Sequence, residues 1–325
     1  MLDVLTIGRV GVDIYPLQIG TPLAEVETFG KFLGGSATNV AVAASRQGLR
    51  AGVISRTGAD AFGDYVHRAL REFGVDDSQV RPVDGLPTPV TFCEIFPPDH
   101  FPLWFYRTPT APDLQIRPEE LDLDAITGAG VLWLTGTGLC QQPSRAAHTA
   151  ALAARRGRPH TVLDLDYRPM FWPDPGAAHA AVAEALPHVT VAVGNLDEVE
   201  VAVGTRDPDR AAELLLDRGP RLAVVKLGPA GVLARTAEES VRVPPVPVDV
   251  VNGLGAGDAF GGALCLGLLR GWPLARTLRF ANAAGAIVAS RLACSAAMPD
   301  YAETAALAGD TAPGPSPAVL TGEDR

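Results

Sequence analysis

Asn252-Gly253-Leu254-Gly255-Ala256-Gly257-Asp258, followed at once by Ala259-Phe260-Gly261-Gly262-Ala263-Leu264, is the stretch on which the reading of this chain turns. Glycines at 253, 255 and 257 leave a loop almost without side chains, so its backbone N–H groups can crowd around an anion. Small and apolar residues then run through Leu268 and Leu269 to Arg270-Gly271-Trp272-Pro273, a helical composition with a Gly/Pro stop. The loop therefore feeds a helix N-terminus, where unpaired N–H groups and the positive end of the dipole favour negative charge. A carboxylate at Asp258 is repelled by the ligand such a loop attracts, unless it acts on that ligand. Phosphoryl transfer needs this pairing: amides neutralise the phosphoryl charge, and a carboxylate takes the proton of the attacking hydroxyl. A plain capping carboxylate on a glycine-rich turn is the other reading of Asp258.

Composition narrows the classes. The 325 residues suffice for one large α/β domain or a main domain with a smaller accessory piece, and 47% hydrophobic content fits a folded globular chain. No window approaches the roughly 18 apolar residues of a membrane span. The apolar run at the amino terminus contains Asp3 and lacks a basic segment and cleavage site, so it is not expected to be a secretory signal; the expected location is the cytoplasm. Cys93, Cys140, Cys265 and Cys294 have no paired spacing, which argues against a zinc site or a disulfide framework. A net charge of −10 repels polyanions, so nucleic acid is not an expected partner.

Taken in order, residues 3–8 read as a buried first strand ending in glycine. Asp13 follows at the edge where open α/β sheets bind ligands; it suits sugar hydroxyls or is a solvated loop residue. Residues 14–33 read as extended strands outside the main sheet. Gly34-Gly35 then enters an alanine-rich helix that ends near Gly48 and carries Asn39 one turn in. A strand at 51–55 and a helix near 61–73 follow. Thr88–Phe96 and Phe101–Arg107 form a hairpin which, with the strands in 14–33, makes a small sheet that can close as a lid. Beyond it, strands 131–135, 161–165, 189–193 and 222–227 alternate with helices 144–156, 176–186, 196–203 and 208–218, the pattern of a parallel sheet wrapped by helices. Arg168 lies just past one strand end. Asn195 and Glu198 share a helix face and also fit a capping box. Lys226, Gly228 and Gly231 suit the passage of a nucleotide, with Lys226 alternatively in solvent, and Asn282 lies on a small-residue helix that could lie under an adenine. Residues 310–325, rich in Pro, Gly and Ser, read as a disordered tail.

Gly34-Gly35 with Asn39, and Gly255-Ala256-Gly257-Asp258 some 220 residues later, together resemble the two signatures of the ribokinase-like (PfkB) carbohydrate kinases. The resemblance covers about residues 1–305. Within the family, Gly8–Pro16, Pro89–Asp99 and Asn252–Asp258 are similar to the 5-dehydro-2-deoxygluconokinases of inositol catabolism. It implies a doubly wound, mostly parallel α/β sheet with a small β-sheet lid (about 12–33 and 88–112) in one domain over 1–309. It also implies ATP and Mg²⁺ as cofactors and a sugar acid as substrate.

By the same resemblance Asp258 is the base and the amides of Gly255, Ala256 and Gly257 the anion hole. Asp13, Gly34, Gly35 and Asn39 hold substrate hydroxyls, and Arg107 and Arg168 its carboxylate, converging from opposite walls of the cleft. Asn195 and Glu198 organise Mg²⁺ through water, while Lys226, Gly228, Gly231 and Asn282 border the nucleotide. Many relatives have Asp-Thr where this chain has Asn252-Gly253, and that aspartate helps bind a monovalent cation; a neutral amide reduces the expected potassium dependence. An apolar lid face suggests a homodimer. A 2-keto-3-deoxygluconate kinase, another sugar or nucleoside kinase, or a non-catalytic sensor are the alternatives. A dinucleotide oxidoreductase is disfavoured because the first strand lacks a glycine triad at its end.

Overall fold

Runs of β-branched and aliphatic residues set the frame. Val131–Thr135, for example, is buried along its whole length because both faces of its strand are covered. The structure, a computed structural model, describes residues 1–311. Its strands are β1 (Val4–Ile7), β2 (Gly11–Pro16), β3 (Phe29–Gly34), β4 (Ala51–Gly58), β5 (Val75–Asp76), β6 (Val80–Val83), β7 (Val90–Cys93), β8 (Leu103–Tyr106), β9 (Val131–Thr135), β10 (Thr161–Asp164), β11 (Val191–Asn195), β12 (Leu222–Lys226), β13 (Val232–Arg235) and β14 (Ser240–Val243). Its α-helices are α1 (Ser36–Arg46), α2 (Ala61–Glu72), α3 (Leu123–Gly128), α4 (Ser144–Arg155), α5 (Pro175–Ala185), α6 (Leu196–Val203), α7 (Pro208–Leu216), α8 (Ala256–Leu269), α9 (Leu274–Ala289) and α10 (Tyr301–Ala308).

The main sheet runs β14-β13-β12-β11-β10-β9-β1-β4-β5, with β6 also on β4; it is parallel except for β13 and β14. Alternating side chains feed two cores. Val131 and Trp133 of β9 enter one, and Leu132 and Leu134 enter the other. Winding proceeds from β1 to β4 in one direction and from β9 through β12 in the other, so the direction switches between β1 and β9. Ligands of open α/β sheets bind at such a switch, outside the carboxyl ends of the strands.

The expected lid is present as a separate sheet ordered β3-β2-β7-β8. One rung across it holds Phe32, Asp13, Thr91 and Phe105, and the next holds Lys31, Ile14, Phe92 and Trp104. Because side chains alternate, the first rung faces the cleft and the second faces away.

Three features depart from the sequence expectation. β4 extends to Gly58 because Arg56, buried to 4% exposure, finds Glu120 at 2.6 Å and so lets a polar stretch stay in the sheet. Its neighbours β5 and β6 are short, and the β13–β14 hairpin follows Lys226 without a strong turn signal. The expected tail at 310–325 lies outside the described residues apart from Asp310 and Thr311. Among the described residues, no helix is long and apolar enough to cross a membrane.

Candidate active site

Packing between α1 and α8 places the central carboxylate. Gly261 and Gly262 press α8 onto its neighbours: a Cβ at 261 would stand 2.8 Å from the Trp133 ring, and one at 262 would run into Ala43 and stand 2.6 Å from the Ala44 nitrogen. That closeness brings Asp258, in the first turn of α8, to the first turn of α1. Ser36 Oγ donates to Asp258 Oδ1 at 3.0 Å and Asn39 Nδ2 to Oδ2 at 2.8 Å. Asn39 is fixed in turn, its Oδ1 accepting from Ser295 Oγ at 2.7 Å. Asp258 therefore does not cap its own helix. Burial pushes its carboxyl above the usual range, aided by the charge of Asp166 and opposed by the Asn39 hydrogen bond.

The N-cap of α8 is Gly255 at φ +82°, a left-handed conformation that favours glycine, and a Cβ there would stand 2.8 Å from Cys294 Sγ. The first helical bond runs from Ala259 N–H to Gly255 O at 2.9 Å. Ahead of it the amides of Gly255, Gly257 and Asp258 have no partner among the described residues, and Ala256 makes only a long contact to Gly253 O at 3.5 Å. Lys226 Nζ lies 3.3 Å from the Cβ position that Gly257 leaves empty, so its ammonium sits over these amides and not in solvent. Asp164 lies 3.7 Å from it and Glu198 4.0 Å. Burial alone would lower the Lys226 pKa; these carboxylates outweigh it and the net shift is upward. A cation and free amides at one helix end make an anion site.

A cavity of about 70 Å³ opens beside Asp258, lined by Arg9, Asp13, Gly35, Asn39, Arg168 and Gly255 among others. The lid residues Thr91, Leu103 and Phe105 form part of its wall, so movement of the lid changes its size. Asp13 accepts from Tyr15 Oη at 3.0 Å, and Tyr15 Oη lies 2.8 Å from Cys294 Sγ. Burial raises the Asp13 carboxyl to about 6. Gly34 is glycine because Asp13 occupies the space of its Cβ, and Gly35, at φ +101°, because the Arg9 carbonyl does.

At the end of β10, Asp166 takes both a hydrogen bond from Thr137 Oγ1 at 2.8 Å and ion pairs from Arg9 and Arg168, each at 3.2 Å. Burial opposes its charge, but Arg9 and Arg168 hold its carboxyl below the usual range. Asp164 behaves oppositely: burial raises it to about 7, and its Oδ1 has no hydrogen bond. No group of three or more His, Cys, Asp or Glu among the described residues is arranged to hold a metal ion.

The remaining expected residues divide. Arg168 lines the cavity and also faces Glu198 Oε1 at 3.6 Å. Arg107 is not part of that lining. It pairs with Asp113 at 2.7 Å and lines a neighbouring cavity of about 420 Å³, beyond Phe105. Asn195 and Glu198 form the capping box of α6, with bonds of 2.7 and 3.0 Å. Gly231 makes room for Val243 O, Gly228 stands in open space, and Asn282 Nδ2 donates to Pro244 O at 3.0 Å. Asn252 is fully buried, donating to Leu292 O at 2.7 Å and accepting from Leu254 N at 3.0 Å. Sequence reasoning missed Ser36, Ser295, Arg9 and Asp166 as site residues. Ser36, two places after Gly34, and Arg9, inside Gly8–Pro16, lay within reach of a motif, and Asp166 stands two places before Arg168.

A model of the pfkB family carbohydrate kinases matches residues 1–301. This chain belongs to that family. The 5-dehydro-2-deoxygluconokinase of Shouchella clausii (strain KSM-K16) is 32% identical to it over 312 residues, covering 94% of this chain and 95% of the relative. The 5-dehydro-2-deoxygluconokinase of Clostridium tetani (strain Massachusetts / E88) is 34% identical over 312 residues, covering 93% and 91%. Among solved structures, a PfkB protein from Polaromonas sp. JS666 matches with a TM-score of 0.79 at 27% identity, covering 91% of this chain and 98% of that one. A fructokinase from Vibrio cholerae O395, in fructose, ADP and calcium ion bound form, matches with a TM-score of 0.82 at 24% identity over 94% and 99%, a likeness of fold. The chain is thus a carbohydrate kinase of the PfkB family on a ribokinase-like fold.

Proposed function

We propose that this PfkB kinase transfers the γ-phosphoryl group of ATP to the terminal hydroxyl of 5-dehydro-2-deoxy-D-gluconate, a sugar acid of myo-inositol catabolism. The observation that carries the reading is Asp258, turned away from its own helix into the cavity while the amides beside it stay unpaired. In the reaction Asp258 accepts the hydroxyl proton, the oxygen bonds to the γ-phosphorus, and the bond from that phosphorus to the β-phosphate oxygen breaks, releasing ADP. The amides of Gly255, Ala256 and Gly257 with Lys226 neutralise the charge on the transferring group. Asn39 and Ser36 aim the carboxylate, and Asp13 holds substrate hydroxyls beside Gly34 and Gly35.

The phosphate side fits a divalent ion held through water and phosphate oxygens, since the orphaned Asp164 oxygen and buried Glu198 face Lys226 without forming a protein-only cage. A Mg²⁺ ion held there, with Asp164 and Glu198 reaching it through water, would supply positive charge to the β- and γ-phosphates. Lys226, Gly228, Gly231 and Asn282 border the nucleotide, with Asn195 orienting Glu198. The cytoplasm is the compartment consistent with this substrate. A second copy of the chain is the proposed partner of the lid's outer face, where Phe29, Trp104 and Tyr106 stay 39–63% exposed; light scattering at micromolar concentration showing only monomer would remove it.

The kinase reading is tested by coupled ADP release with 5-dehydro-2-deoxygluconate, 2-keto-3-deoxygluconate, ribose and fructose. Turnover greatest on 5-dehydro-2-deoxygluconate is expected. A preference for 2-keto-3-deoxygluconate would reassign the acid, and no turnover on any of the four would favour a sensor.

A further inference from the structure

We propose that Arg9 is a specificity-determining residue: with Arg168, it binds the carboxylate of the acid substrate. The proposal rests on the sugar-acid reading above. Arg9 follows β1 and spans the switch point, its Nε donating to Thr137 Oγ1 just beyond β9 at 3.2 Å. Its Nη2 reaches both oxygens of Asp166 at 3.2 and 3.4 Å, and its guanidinium carbon lies 5.7 Å from the Phe105 ring and 5.6 Å from the Phe171 ring. These contacts fix the guanidinium, with the side chain only 9% exposed, in the wall of the cavity. Nη1 makes no hydrogen bond among the described residues. A held guanidinium with one free pair of donors is preorganised for a planar anion.

Charge points the same way. Asp166 is one carboxylate shared by two guanidinium groups, Arg9 and Arg168, and it is held at φ +30°, a conformation uncommon for a side-chain-bearing residue. Arg168 also faces Glu198 Oε1 at 3.6 Å, so of the two guanidinium groups it is Arg9, paired with Asp166 alone, that keeps unmatched donors. Arg107 has no such surplus, being matched one to one with Asp113 in the other cavity. Lys226, the cation at the α8 N-terminus, does not line this cavity although Gly255 and Asp258 do, so phosphate is the competing anion and KM for ATP separates the two. Phe105 comes from lid strand β8, so Arg9 packs against the lid.

The experiment measures kcat/KM for 5-dehydro-2-deoxygluconate and for fructose, with KM for ATP, in the wild type, Arg9→Gln, Arg9→Lys and Arg107→Gln. The acid-to-neutral ratio within each variant is independent of how much protein is folded. Arg9→Gln should lower that ratio by about 10- to 100-fold, the worth of one charge-assisted hydrogen-bond pair. Arg9→Lys should lower it less, Arg107→Gln should move both substrates together, and KM for ATP should hold. An unchanged ratio in both Arg9 variants of an acid-preferring enzyme overturns the proposal and leaves the sugar-acid reading intact. A raised KM for ATP with an unchanged ratio also overturns it, assigning Arg9 to phosphate. A wild type that prefers fructose removes the sugar-acid reading itself.

Discussion

Two helices of this protein carry a carboxylate at the same third position and use it in opposite ways. In α6, Glu198 turns back to the amide of its own cap, Asn195, at 2.7 Å, and the Asn195 side chain repays the Glu198 amide at 3.0 Å. In α8, the cap is Gly255, which has no side chain to give, and Asp258 reaches across to Asn39 and Ser36 on α1. The first arrangement uses the cap side chain and one carboxylate oxygen to close a helix end. The second leaves amides free beside a buried carboxylate held by the neighbouring helix. The difference teaches that a helix N-terminus becomes a reactive anion site when its capping is withheld and its acidic residue is held from elsewhere.

The comparison breaks most severely at Asp258 itself. Asp258→Asn keeps the size and loses the proton acceptor, so kcat should fall about 10²–10⁴-fold while ATP still binds. Because burial raises the Asp258 carboxyl, the acid limb of the wild-type kcat profile should lie above the ordinary carboxylate range; near-normal kcat in the folded variant would show another base.

Next in size is the packing that aims the carboxylate. Gly262→Ala pushes a methyl into Ala43 and the Ala44 nitrogen, separating α8 from α1. The strain should cost about 1–3 kcal/mol in chemical denaturation, and the misplaced Asp258 should lower kcat by roughly 10- to 100-fold. Full activity in this variant would mean that α8 is not held in place by that contact.

On the other helix the effect should be reversed in kind. Asn195→Ala removes the cap of α6 and should cost about 1 kcal/mol of stability, with a loss of kcat far smaller than that of Asp258→Asn. A collapse of kcat with unchanged stability would make Asn195 a reaction residue and erase the contrast.

The smallest effect concerns potassium. Asn252 puts its amide on the Leu292 carbonyl at 2.7 Å, so both a charge and a carbonyl are withdrawn from any cation beside the loop. The ratio of kcat in K⁺ to kcat in tetramethylammonium should be nearer one than in relatives with aspartate at this position. A large, K⁺-restored loss would show that other carbonyls suffice.

What could be read beforehand followed from local pattern. The glycine loop before α8, each strand and helix of the alternation and each half of the lid announce themselves in short local patterns, and the structure has them. Relations between distant residues were not legible. Asn39 was expected to hold substrate, yet its amide nitrogen is given to Asp258, 219 residues away. Arg9 lies inside the Gly8–Pro16 stretch, but its partners Thr137 and Asp166 stand 128 and 157 positions on, so its role was not legible locally. Glycines were ambiguous for a physical reason: an absent Cβ serves a ligand or a neighbouring residue equally well, and at Gly34, Gly35 and Gly231 protein atoms fill the space. Arg107 and Arg168 looked alike in sequence because each follows or ends a strand; in the structure the first pairs with Asp113 and the second with Asp166 and Glu198.

The claim that α8 and Asp258 form a centre for phosphoryl transfer to a sugar acid is tested most directly by ³¹P NMR of the wild-type enzyme with ATP, Mg²⁺ and 5-dehydro-2-deoxygluconate. The account predicts ADP and a phosphate ester at the terminal carbon, formed in equal amounts. ATP left intact, or inorganic phosphate appearing with no ester, would contradict it.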